Sequence, residues 1–234
     1  MPEPYNAIAQ QLILMQLADS FFPSGSYTLS HGLESLVQSG TIHTAESLET
    51  FVRLLLCNKV GNTDLIALAH AYQTSRLNDL SAIGKIDALL FAQTPIEKTR
   101  LAQRQSGRAL LMVASETWPH PQLSALQKQT AQGKINCVHP VVFAVVAQVA
   151  GLAQQAALVA FVHGFVTGIL GAAIRLGVIG HLQAQQIRRA VADDMAMVCE
   201  GAMERSLNEM WSCTPLIDLA QMQQAKLSRR LFAS

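Results

Sequence analysis

The chain has 234 residues, of which 50% are hydrophobic, 14% charged and 6% aromatic, with a net charge of +1. That length suffices for one sizeable core, and the near-zero balance excludes a global field that would recruit nucleic acid or an anionic membrane. Leu, Ala, Gln and Met are abundant while alternating runs of Val, Ile and Thr are scarce, so helices are favoured over strands.

The opening Met1-Pro2-Glu3-Pro4 has neither a basic region nor an apolar one, so no signal peptide is read there. A first helix is expected over Leu12 to Ser20, ending where Phe22-Pro23-Ser24-Gly25 forces a turn. A short helix should restart near Ser30, carry Leu33, Leu36 and Val37 on one face, and stop at Gly40. Thr44 is a suitable N-cap, with Glu46 and Glu49 in the following turns. Leu48, Phe51, Val52, Leu55 and Leu56 then repeat as a core-facing stripe, and Glu49 and Arg53 stand one turn apart on the polar side.

Thr94-Pro95-Ile96-Glu97 reads as a capping box with Pro at the first helical position, opening a helix that runs to about Glu116. His139-Pro140 opens another, and Gly151 to Gln155 marks the break before the next. From Ile135 to Ile174 there is no Asp, Glu, Lys or Arg. Gln148, Gln154, Gln155 and His163 interrupt the stretch, which therefore reads as two buried core helices rather than a membrane hairpin. Ile187, Val191, Met195 and Val198 form one further amphipathic stripe, continuing to about Trp211. With no repeat or composition shift, the chain reads as an all-α single domain, 1–234. It would be a compact bundle of roughly eight to ten helices, with 1–10 and 212–234 as tails and the C-terminal tail flexible.

Locally encoded catalytic motifs are missing. Gly84-Lys85 and Gly133-Lys134 are not followed by Ser or Thr, so no phosphate-binding loop is present, and neither Gly-x-Ser-x-Gly nor His-Glu-x-x-His occurs. A helical enzyme with a dispersed active site stays open as an alternative. Cys137 and His139 are weak candidate metal ligands, because one thiol and one imidazole do not close a site. Cys57, Cys137, Cys199 and Cys213 form no Cys-x-x-Cys pair, which agrees with a reducing cytoplasm. Arg100, Arg104 and Arg108 share a helical face, as do Asp193, Glu200 and Glu204; such rows are solvated surfaces or docking faces. Gly164, Gly168 and Gly171 suggest tight helix packing. Near the end, Arg229 and Arg230 flank Leu231 and Phe232, a composition suited to an anchor.

Several segments, in order, resemble the UreF family of urease accessory proteins. They are Leu14-Met15-Gln16-Leu17-Ala18-Asp19-Ser20, Phe22-Pro23-Ser24-Gly25-Ser26-Tyr27, Ser30-His31-Gly32-Leu33-Glu34, Asp64-Leu65, Pro140-Val141-Val142-Phe143, Arg175-Leu176-Gly177, Pro215-Leu216-Ile217-Asp218 and Arg230-Leu231-Phe232-Ala233-Ser234. The resemblance implies an all-α homodimer that catalyses nothing itself. It would act with UreD (also called UreH) and the GTPase UreG as a chaperone loading nickel into apo-urease. Nickel and GTP would be handled by those partners, with no cofactor on this chain, and neither nucleic acid nor membrane would be bound. The resemblance assigns partner contacts to Tyr27, Glu34, Arg175, Asp218, Arg229, Arg230, Leu231, Phe232 and Ser234, with the tail meeting UreD/UreH. One departure is Leu29, which stands where the family pattern often has His; His31, two residues on, would point elsewhere if that turn were helical.

Overall fold

The computed structural model describes residues 7–19, 22, 30–224 and 231–232. Of the expected contact residues, Tyr27, Arg229, Arg230 and Ser234 lie outside them. Among the described residues the fold is all-α, as composition implied, with no strand. Twelve α-helices follow in order: α1 Ala7–Ala18, α2 Leu33–Gln38, α3 Ala45–Asn58, α4 Asp64–Arg76, α5 Leu80–Ala92, α6 Glu97–Thr117, α7 Pro121–Ala131, α8 His139–Val149, α9 Gln154–Arg175, α10 His181–Ala190, α11 Ala192–Glu204 and α12 Pro215–Gln224.

The charge-free stretch forms the centre. Every residue of α8 from Pro140 to Ala147 is buried, so the helix has no polar face and must be covered on all sides. α4, α6, α5 and α9 do so. α9 is long and apolar enough to cross a membrane by length and composition. In this fold it is instead wrapped by α1, α2, α3, α4, α8, α10 and α11. The buried Tyr72 hydroxyl of α4 donates to the Leu152 carbonyl at 2.5 Å, fixing the turn between α8 and α9.

The loop before α8 is held by two devices. The buried Asp87 carboxylate of α5 accepts the amides of Asn136 (2.7 Å) and Val138 (2.8 Å), which satisfies donors that water cannot reach. Burial pushes its pKa up, and those amides pull it back down. Opposite, Gly107 of α6 lies so close that an added Cβ would stand 2.0 Å from the Cys137 carbonyl oxygen.

Several boundaries differ from the sequence reading: α1 begins at Ala7, inside the expected 1–10 tail, rather than at Leu12, and α11 ends at Glu204 rather than near Trp211. Thr94 does not cap α6: its buried hydroxyl donates to Leu90 O at 3.0 Å, finishing α5, and α6 starts at Glu97 behind an extended Ile96. The stripe from Ile187 to Val198 is split at the buried Val191, because Arg53 of α3 donates to Ala190 O at 2.8 Å and pairs with Asp194. Part of the expected tail, Pro215–Gln224, is a helix packed on α2 with Ile217, Ala220 and Gln221 buried. The capping of α3 by Thr44, its five-residue stripe and the Glu49–Arg53 pair (3.0 Å) are all observed.

Gly107→Ala should lose about 3 kcal/mol or fail to fold, since the clash is with backbone rather than a movable side chain. Gly40→Ala, which also meets a positive φ but open space, should lose roughly 1 kcal/mol. The difference in urea midpoints between the two variants measures this.

Candidate functional site

The chain turns into α2 through two consecutive left-handed residues, His31 (φ 53) and Gly32 (φ 87). Glycine takes such a φ freely, whereas histidine does so at a cost, so this turn is held by its surroundings. Gly32 is doubly constrained: a Cβ there would come within 3.1 Å of Gln221 Cγ and 3.2 Å of Ile217 O on α12. Gln221 is itself anchored, accepting the Thr99 hydroxyl of α6 at 2.6 Å and donating to His31 O at 3.4 Å.

On one side of this turn lies the end of the chain. Glu34, 1% exposed, accepts the amide of Leu231 on Oε1 (2.7 Å) and that of Phe232 on Oε2 (3.3 Å). A carboxylate taking two backbone donors forms charge-assisted hydrogen bonds, the stronger kind. Phe232 is 4% exposed, and the Arg175 guanidinium of α9 covers its ring at 4.3 Å from the centroid. Leu231 stays 70% exposed. Four of the expected contact residues, Glu34, Arg175, Leu231 and Phe232, are thus brought together as one clasp. Asp218 stands apart, in the first turn of α12, 3.9 Å from Lys59 Nζ.

On the other side lies a small cavity of about 90 Å³. Its walls include Phe22, Leu110, Phe143, Phe161 and Phe165, and its polar groups include His31, Asp64, Gln103 and His139. The left-handed turn sets the His31 ring against Phe165, 4.8 Å between ring centres. His139 lies against Phe143 and Phe161. Burial pushes the pKa of Asp64 up to about 6, and lowers His31 to about 3 and His139 to about 4. Among the described residues His139 Nε2 and Gln103 Oε1 are buried without a hydrogen-bond partner. Gly164 and Gly168 line this cavity, and a Cβ on either would meet nothing within 4 Å among the described residues. The expected tight packing at those two glycines is therefore replaced by open space.

The segments that carried the family resemblance converge here. Phe22, His31, Asp64, Pro140 and Phe143 line the cavity, while Glu34, Arg175, Leu231 and Phe232 form the clasp. Cys137 and His139 do not act as a pair. The Cys137 thiol, pushed up to about 11 by burial, lies near Thr130, Asp87 and Arg108, whereas His139 faces the cavity. Among the described residues no group of three His, Cys, Asp or Glu could hold a metal ion.

Among the described residues two apolar rows stand exposed: Ile8, Leu12 and Met15 on α1, and Leu216, Leu219 and Met222 on α12. Both have helical spacing, which periodicity could have revealed for the second had α12 been recognised as a helix. Asp193, Glu200 and Glu204 are all exposed on α11.

The sequence profile of the UreF family matches residues 42–192. The chain is 52% identical to the urease accessory protein UreF of Trichodesmium erythraeum, over 97% of this chain and 98% of that protein. The protein of the same name from Xanthobacter autotrophicus is 32% identical over 91% of this chain and 86% of its own length. That of Granulibacter bethesdensis is 28% identical, over 91% and 89% respectively.

Two outcomes are expected from this geometry. Glu34→Gln places an amide donor against two backbone donors, so the Leu231 and Phe232 amides should exchange hydrogen at least about tenfold faster, read by NMR or mass spectrometry. The second concerns pH. The two depressed histidines stay neutral when folded and charge when unfolded, so their contribution is present above pH 6.5 and is lost as pH falls toward 4 and 3. The raised Asp64 acts oppositely, contributing below its ordinary value and losing that contribution as pH rises through about 6. Two histidines against one aspartate should make the melting temperature fall between pH 7 and 5, and His139→Phe should flatten that fall.

Proposed function

The chain belongs to the UreF family of urease accessory proteins, and from this premise we propose that it is a non-catalytic docking scaffold in urease maturation. In this reading it works in the cytoplasm, as a homodimer, within a complex of UreD/UreH and the GTPase UreG. That complex acts on apo-urease so that nickel reaches its active centre. Nickel and GTP are the business of the partners, and this chain carries no cofactor. It binds neither nucleic acid nor membrane.

The observation that carries the reading is the clasp. A buried carboxylate and an arginine hold Leu231 and Phe232 against the body, with the Leu231 side chain left exposed. An anchored segment with an exposed apolar side chain presents a partner with a pre-ordered edge, which lowers the ordering cost of binding. UreD/UreH is the proposed recipient, with Tyr27, Arg229, Arg230 and Ser234 as further contacts and Asp218 on α12 as a separate one. The uncovered rows on α1 and α12 are in keeping with docking, and a homodimer would cover one of them. All four cysteines are free thiols, in keeping with a reducing compartment.

The cavity is the feature that favours a rival, since it gathers pKa-shifted groups as a catalytic pocket would. Its size speaks against that use. At about 90 Å³ it holds a few water molecules, whereas pockets for metabolite-sized ligands run to roughly 300–1,000 Å³. The shifts of His31, His139 and Asp64 also arise first from burial rather than from a partner poised for proton transfer.

The test compares binding of purified UreD/UreH to the full chain and to a chain ending at Ser228. The full chain should bind and the shortened chain should lose at least about tenfold in affinity. Equal binding would remove the tail's role while leaving the family assignment intact. Failure of the full chain to bind folded UreD/UreH from the same source would overturn the scaffold reading.

A further inference from the structure

The arginine row of α6 is a strong charge feature that the clasp and the cavity leave unused. Arg100 and Arg104 hold their guanidinium carbons 5.3 and 5.9 Å from the centre of the Phe91 ring on α5. Arg104 Nε also donates to Asn136 O at 3.3 Å. Neither they nor the exposed Arg108 has a carboxylate within salt-bridge distance among the described residues, in contrast to Arg53, which pairs with both Glu49 and Asp194. The nearby Asp87 is buried and taken up by the loop amides.

Two apolar side chains frame the row. At 100° per residue Leu101, Arg108 and Met112 fall on one line along α6, with Arg104 beside them. Leu101 is 48% exposed and Met112 61% exposed, while the opposite face of α6 packs on α8. Arginines pre-positioned on an aromatic ring and bordered by exposed Leu and Met make the composition of an interface centre. Because Arg100 and Arg104 are already ordered by Phe91, less rotamer freedom is lost when they are engaged.

We infer that the Leu101–Arg104–Arg108–Met112 face of α6 is a docking surface for a different protein that presents carboxylates around an apolar centre. Charge complementarity identifies the class of occupant. A two-fold contact centred on α6 would set arginine against arginine. Pairing α6 of one copy with Asp193, Glu200 and Glu204 on α11 of another is the rival occupant, and loss of self-association in Arg108→Glu with the other affinities unmoved would overturn the inference in its favour. A nucleic acid would leave Leu101 and Met112 against phosphate. The inference rests on the scaffold reading and adds a second face to it, separate from the clasp.

The experiment measures binding of the full chain, at low and high salt, to purified UreD/UreH, to UreG in the presence of UreD/UreH, and to apo-urease. Variants are Arg108→Glu, Met112→Glu and the conservative Arg108→Lys. Among the described residues the exposed Arg108 makes no ion pair, so Arg108→Glu should keep the helical signal and melting temperature of the parent. Binding of at least one of these proteins should fall about tenfold or more in Arg108→Glu and in Met112→Glu, and stay within about threefold in Arg108→Lys. Salt should weaken the parent's binding to that protein more than the variant's. Unchanged affinities for all three, with the parent binding normally, overturn the inference and leave the scaffold reading standing. A parent that binds none of them overturns both. Duplex DNA binding that Arg108→Glu abolishes, with the protein affinities unmoved, also overturns it.

Discussion

A helix with no polar face cannot lie on a surface, and α8 is such a helix. From Pro140 to Ala147 every side chain is buried, so the chain must supply neighbours in all directions. Most of the architecture follows from meeting that demand. α4, α5, α6 and α9 cover α8, and α1, α10 and α11 in turn cover α9. The loop that delivers the chain into α8 is fixed by Asp87 on one side and by the missing side chain of Gly107 on the other. At roughly 2 kcal/mol for each fully buried aliphatic side chain, α8 alone outweighs any of the surface ion pairs.

The same demand places the clasp and the cavity back to back. α9 runs past α8 and ends at Arg175, beside the turn where His31 and Gly32 admit α2. From that turn His31 reaches inward to Phe165 and Glu34 reaches the end of the chain. Gln221 ties α12 to both α6 and the turn. Leu231 and Phe232 are thereby joined, through Glu34 and the turn before α2, to residues in the interior. The two histidines inside are kept neutral by burial rather than by pairing, while Asp64, raised to about 6, is charged above that pH; a buried acceptor such as Gln103 Oε1 is in keeping with bound water.

Much of this was legible in the sequence where local rules decide the outcome. The stripe of Leu48, Phe51, Val52, Leu55 and Leu56, the cap at Thr44, and the opening of α8 at His139-Pro140 are all local, and all are present. The readings that missed were overruled by distant groups. Val191 sits within a continuous stripe without Gly or Pro, and only the arrival of Arg53 from α3 ends α10 there. Thr94 has the chemistry of a cap but finds Leu90 O closer at hand. Glu34 and Leu231 are 197 residues apart, and no periodicity links them. The ordered motifs contain the clasp residues and several that line the cavity, but they could not show that these residues come together. Nor could they show that Gly164 and Gly168 face open space.

The central claim is that the end of the molecule formed by α2, the close of α9, α12 and residues 231–232 receives the UreD/UreH partner. Hydrogen exchange of the full chain, with and without saturating UreD/UreH, tests it most directly. The account predicts that added protection on binding is concentrated in Leu33–Gln38, Pro215–Gln224 and the Leu231 and Phe232 amides. Protection that leaves these segments unchanged and appears elsewhere on the bundle would contradict it.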